Sequence, residues 1–197
     1  MGSEVSSRGS PFVEEWIARL GPSSRAAKSA LDVAMGRGRH AVPLARAGFR
    51  TFGVDIRFDA VRDAAIAARA AGTALRAWCA DLTQHPLPLA RFDVIVVTRY
   101  LQRDLFAPLA AALRPGGTLV YETFTTAQRA HGWGPTSPDH LLEPGELARA
   151  FGRLDVLFYE EVSEPEAVAR LVARRSSKSA RGSETVPGRG APCDASP

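Results

Sequence analysis

The run Leu31-Asp32-Val33-Ala34-Met35-Gly36-Arg37-Gly38-Arg39-His40, with Val54-Asp55-Ile56 after it, constrains this chain more than any other segment. An apolar stretch ends in a glycine-spaced turn, a helix starts, and a second apolar stretch ends in a carboxylate. That order predicts a strand–helix–strand unit with backbone N–H groups at a helix N-terminus and an acidic side chain near a ribose. Gly36 and Gly38 supply positive φ and close backbone approach. Asp55 offers two coplanar acceptor oxygens to a pair of ribose hydroxyls. The expected ligand contains a nucleoside.

Glycine spacing alone leaves its identity open, because Gly36, Gly38 and Ala41 also fit the dinucleotide fingerprint, with Asp55 at a suitable distance. Asp32 discriminates. At the end of the first strand its carboxylate would repel a pyrophosphate and attract an ammonium group. S-adenosylmethionine carries an ammonium and no phosphate.

A chain of 197 residues predicts one domain with short tails, too small for a second, nicotinamide-substrate domain. The net charge of +4 concentrates in the C-terminal tail, where Arg174, Arg175, Lys178, Arg181 and Arg189 face only Glu184 and Asp194. The remainder is nearly neutral, which disfavours a nucleic-acid groove. Two cysteines, Cys79 and Cys193, form neither a disulfide framework nor a zinc spacing. With no signal-peptide core and no apolar run of ~20 residues, a cytoplasmic location away from membranes is expected.

The pattern predicts a leading helix capped by Ser10 and stopped at Gly21-Pro22, then strands over 29–33, 50–54, 75–79, 92–97 and 118–122. Helices are expected over 38–47, 59–71 and 104–113. Residues 123–144 are too long for a plain connector and have the composition of a lid or binding loop. A short helix over 145–151 precedes strands over 154–160 and 167–174. Residues 1–9 and 176–197 read as disordered, leaving a domain over 10–175. The alternation implies an α/β, doubly wound parallel sheet.

Several further segments carry a resemblance: Ser10-Pro11-Phe12-Val13, Cys79-Ala80-Asp81-Leu82, Phe92 to Val97, Arg114-Pro115-Gly116-Gly117, Tyr121-Glu122-Thr123-Phe124 and Leu141 to Leu147. With the first block they make the chain similar to class I S-adenosylmethionine-dependent methyltransferases, and within them to a bacterial subgroup related to tellurite-resistance-type enzymes. The resemblance implies a Rossmann-like seven-stranded sheet of order 3-2-1-4-5-7-6 with strand 7 antiparallel. It implies S-adenosylmethionine held by Asp32, Ala34, Gly36, Gly38, Asp55, Ile56, Asp81, Leu82 and Thr98, with Asp81 and Leu82 framing the adenine. Met35 stands where a smaller residue is usual, so a tightened methionine pocket is expected. Relatives often carry Asn at position 99 and His at 102, where this chain has Arg99 and Gln102.

Tyr100, Glu122 and His131 are the candidates for the acceptor side, since ligands of open α/β sheets bind at the carboxyl edge. Each has a plainer reading: Tyr100 as core, Glu122 paired with an arginine, His131 as a solvated loop residue. His131, Asp139 and His140 lack metal-ligand spacing, so no metal is expected. The expected reaction is methyl transfer to a small-molecule acceptor. A non-catalytic cofactor-binding module, a nucleic-acid methyltransferase and a nicotinamide oxidoreductase are the rivals. Oligomeric state is not legible.

Overall fold

The computed structural model describes residues 9–21 and 28–177. The expected disordered tails, and Cys193 with them, lie outside the described residues apart from Gly9, Ser176 and Ser177. Seven strands form one sheet in the order β3-β2-β1-β4-β5-β7-β6. They are β1 (Ser29–Val33), β2 (Arg50–Asp55), β3 (Leu75–Cys79), β4 (Phe92–Thr98), β5 (Leu113–Phe124), β6 (Asp155–Val162) and β7 (Val168–Arg174). The first five pair in parallel, and β7 runs antiparallel to both β5 and β6. The fold is the doubly wound, Rossmann-like one. Buried on both faces, β1 and β4 are apolar apart from Ser29 and Asp32 on β1 and Asp93 and Thr98 on β4, as parallel central strands largely are.

The helices are α1 (Pro11–Leu20), α2 (Ala41–Arg46), α3 (Phe58–Ala70), α4 (Phe106–Ala112) and α5 (Glu146–Ala150). Ser10 caps α1 by accepting from the Val13 N–H, with Pro11 in the first position. Phe12, Val13 and Ile17 then bury against Ala30, Leu44, Val94, Val96, Val120 and Val172. Each such side chain stabilises by ~1.5–3 kcal/mol. On the opposite face Leu105, Leu109, Leu147 and Phe151 pack on Leu31, Val33, Ile95, Val97, Leu119 and Tyr121.

Two boundaries differ most from expectation. Helix α2 begins at Ala41 rather than residue 38, because Gly36 and Gly38 hold φ at +54° and +84° and keep the turn open. Strand β5 begins at Leu113, which pairs with Phe92 and so does not close α4. The register then shifts across Pro115 to Gly117, where the Arg175 backbone pairs with Gly116 and Gly117. The segment expected as a lid or binding loop is tied to the sheet. It forms 3₁₀ turns over Thr126–His131 and Pro138–His140. Leu142 exchanges backbone hydrogen bonds with Phe124 and Thr126, and the buried Gln128 amide joins the Trp133 carbonyl to the Ala167 N–H.

Met35 does not tighten the ligand turn as expected. It is buried with Ala41, Val61 and Ala64. A Cβ built on Gly53 would overlap its sulfur. We expect Gly53→Ala to destabilise the fold by ~1–3 kcal/mol through overpacking. In a Met35→Cys background most of that loss should vanish, which denaturant titration of the double-mutant cycle checks. Equal losses in both backgrounds would show that the two side chains do not interlock.

Candidate active site

The carboxyl ends of β1, β2, β3 and β4 surround a cavity of about 390 Å³. Ala34, Asp55, Ile56, Asp81, Leu82 and Tyr100 line it, as do Val54, Arg57, Ala80, Thr83 and Gln102. Of the nine expected cofactor residues, the fold brings Ala34, Asp55, Ile56, Asp81 and Leu82 to this one wall, although they arrive on three different strands.

Asp55 ends β2 with its side chain almost buried. One oxygen accepts from the Gly36 N–H at 2.8 Å and the other from the Arg57 N–H at 2.9 Å. A carboxylate has further lone pairs, so both oxygens remain able to accept from a ligand. Gly36 thus does two things: its φ of +54° turns the chain, and its N–H fixes Asp55. Gly38 serves packing, since a Cβ there would come within 3.0 Å of the Ala64 Cβ on α3. Ala34 adopts φ of +51°, a conformation that costs a residue with a Cβ ~1–2 kcal/mol.

Ile56 is 65% exposed on this wall, with Leu82 also on it. Asp81 is oriented by a tight turn, its Oδ1 accepting from the Thr83 N–H at 2.9 Å and the Thr83 hydroxyl at 2.7 Å. These bonds hold its carboxyl below the ordinary aspartate value. Tyr100 lies across the cavity. Its phenol is pushed above its usual value by burial, then by Asp81 and Asp55, so it stays a hydrogen-bond donor.

Asp32 lies below the turn, with Gly53 and Val96 as its neighbours in register on β2 and β4. It is 1% exposed and neither carboxylate oxygen has a hydrogen-bond partner. Burial pushes its pKa up to about 7. The Arg39 guanidinium opposes this, as does the nearby Ala41 N–H, which falls short of hydrogen-bond geometry. The repulsion expected against a pyrophosphate is therefore weakened by partial protonation near neutrality. The attraction to an ammonium group remains, because a cation would draw the proton off.

Thr98 does not reach the cavity wall. Its hydroxyl bonds to His40 Nδ1 at 3.0 Å, while His40 Nε2 accepts from the Ser10 N–H at 2.9 Å. The acceptor role of Nε2 places the proton of the neutral ring on Nδ1. His40 is thus a buried strut between β4 and the start of α1, and burial, with Arg39 and Arg99, drives its pKa down to about 3.

The three acceptor-side candidates separate. Tyr100 is on the cavity. Glu122 is 1% exposed and accepts from Arg170 Nε at 2.7 Å, with Glu160 on the same guanidinium. His131 sits edge-on to Trp133, which in turn meets Phe124 edge-on. Sequence reasoning did not single out Arg57, Thr83 or Gln102 as cavity residues. Only Thr83 carried a local signal, a hydroxyl two residues after an aspartate. Among the described residues no His, Cys, Asp and Glu cluster could hold a metal, and no helix is long and apolar enough to cross a membrane.

Residues 30–117 match a family model described as a methyltransferase domain. No curated protein matches the chain in sequence. Among solved structures, an S-adenosylmethionine-dependent methyltransferase from Methanosarcina mazei superposes with a TM-score of 0.66 at 16% identity, covering 87% of this chain and 100% of that one. Magnesium protoporphyrin IX methyltransferase from Synechocystis, solved with bound SAH, gives 0.64 at 18% identity over 83% and 82% of the two chains. TehB from Haemophilus influenzae gives 0.64 at 14% identity over 77% and 59%. Over residues 30–117 the chain is thus similar to a methyltransferase domain, and it has the fold of S-adenosylmethionine-dependent methyltransferases.

Proposed function

We propose that this methyltransferase, with S-adenosylmethionine as its cofactor, methylates a small-molecule acceptor. The observation that carries the reading is the cavity in which Asp55, fixed by Gly36, stands beside Ile56, Asp81 and Leu82. Asp55 would take the ribose hydroxyls and Asp81 the adenine amino group, with Ile56 and Leu82 as apolar walls. An isoleucine left 65% exposed on a cavity wall is apolar area that an adenine would cover. Ala34, Gly36 and Gly38 would carry the methionine portion, and the unpaired Asp32 suits its ammonium group.

The cofactor supplies an activated methyl on a sulfonium, open to direct displacement by the acceptor atom. The protein's share is then alignment and exclusion of water, and alignment can contribute up to ~7–11 kcal/mol. Tyr100 is the residue on the cavity best placed to orient an acceptor through its phenolic hydrogen. Glu122 and His131 support that region less directly, Glu122 by holding Arg170 and His131 by packing on Trp133. Support for a small acceptor over nucleic acid is the near-neutral domain. A tellurite-resistance-type kinship rests on sequence motifs such as Arg39-His40. A cytoplasmic setting is supported by the free, exposed thiol of Cys79.

Thermal unfolding tests the reading. S-adenosylmethionine and S-adenosylhomocysteine should raise the Tm while NAD and NADP leave it unchanged, since ligand at ~100 times its Kd stabilises by ~2.7 kcal/mol. Stabilisation by NAD alone would overturn it.

A further inference from the structure

Arg99 is a second polar device at the carboxyl edge that cofactor binding does not use. It follows β4 directly, and φ of +51° makes it one of three non-glycine residues with positive φ among those described. Its N–H donates to the Glu122 carbonyl at 2.8 Å, which fixes the strained backbone and directs the side chain past the end of β5. There the guanidinium lies over the Phe124 ring, 5.6 Å from its centre. Nη2 donates to both carboxylate oxygens of Glu166 at 2.9 Å. Glu166 belongs to neither strand; it comes from the connection between β6 and β7. The pair keeps partial access to solvent, with side-chain exposures of 20% and 14%. Arg39 adds a second positive field at this place, acting on both Arg99 and Glu166. The next residue, Tyr100, is on the cavity wall.

A guanidinium backed by an aromatic face and carrying a carboxylate is a receptor for planar carboxylates. We propose that Arg99 anchors a carboxylate-bearing acceptor, and that Glu166 occupies the position which the acceptor's own carboxylate takes. This rests on the methyltransferase reading and names the substrate class of the same site. Exchange of one carboxylate for another keeps the Arg99 guanidinium paired, and the displaced Glu166 carboxylate, already partly exposed on the β6–β7 connection, turns to solvent. It also gives the acceptor a fixed point one residue from Tyr100, which alignment requires.

The alternative is an ion pair that only ties the β6–β7 connection to β4. Benzoate, with benzamide as its neutral counterpart, separates the two when titrated by calorimetry into protein saturated with S-adenosylhomocysteine. Glu166→Gln should bind benzoate about tenfold more tightly than wild type, because it frees the guanidinium while keeping the shape. Arg99→Gln should lose benzoate binding by a similar factor, and Arg99→Lys should lie between, keeping the charge without the fork. Benzamide should not respond to any of the three. The proposal is overturned if Glu166→Gln and wild type bind benzoate within about a factor of two, or if Arg99→Gln and Arg99→Lys bind it as wild type does. A thermal shift with S-adenosylhomocysteine alone, read on each variant, reports folding and the cofactor reading separately from the benzoate series.

Discussion

Asp32→Asn and His40→Gln are expected to give stability–pH profiles of opposite slope between pH ~4 and ~6.5, where the two groups offset each other in the wild type. The Asp32 carboxyl rises from the ordinary 3.8 to about 7 on folding, so between those values the folded protein holds a proton that the unfolded chain has released. Its contribution to stability is full below pH ~4 and is lost as pH rises to ~7. His40 is the reverse. It falls from 6.5 to about 3, so the unfolded chain binds the extra proton between those values. Its contribution is present above pH ~6.5 and is lost as pH falls to ~3. Each slope is ~1.4 kcal/mol per pH unit, and across the shared window they cancel. Asp32→Asn should therefore leave a protein that stabilises as pH rises from ~3 to ~6.5, by about 5 kcal/mol in all. His40→Gln should leave one that weakens from pH ~4 to ~7. Urea titrations at half-unit pH steps measure both, and parallel profiles for the two variants would refute the compensation.

The second large effect concerns the cofactor. Asp55→Ala should weaken S-adenosylhomocysteine binding by ~1.5–3 kcal/mol, the range for hydrogen bonds to a charged group. It also strips the Gly36 and Arg57 N–H groups of their acceptor, so the turn loses its brace along with the ribose partner. Asp55→Asn should not restore binding. Whichever way its amide is turned, an NH₂ donor faces one of those two N–H donors. Calorimetric affinity unchanged in both variants would remove Asp55 from the ribose site.

The residues that could be read from the chain are those whose neighbours are local. Asp32, Gly36, Gly38 and Asp55 belong to one strand–turn–helix–strand unit, so spacing alone sets their relation. The strand order and the antiparallel β7 came by resemblance, since periodicity does not order strands. Arg170 as the partner of Glu122 was not legible, because 48 residues separate them and only the β5–β7 register puts them side by side. The direction of Met35 was equally hidden. Which way a turn residue points depends on the packing of α2 and α3 over β2, not on the turn itself. Residues 123–144 were legible as a loop too long for a plain connector, but their composition did not reveal that Leu141 and Leu142 are fully buried and anchor it.

The contact between Met35 and Gly53 restricts the order in which this sequence can change. A lineage with a side chain at position 53 gains a thioether at 35 only if the Cβ at 53 goes first or at the same step, because the two would share one space. Once both are in place, each holds the other: a side chain at 53 is blocked by the sulfur, while trimming Met35 opens a void against Ala41, Val61 and Ala64. Descendants should therefore vary at these two positions together, although 18 residues of chain separate them and neither is among the residues that line the cavity.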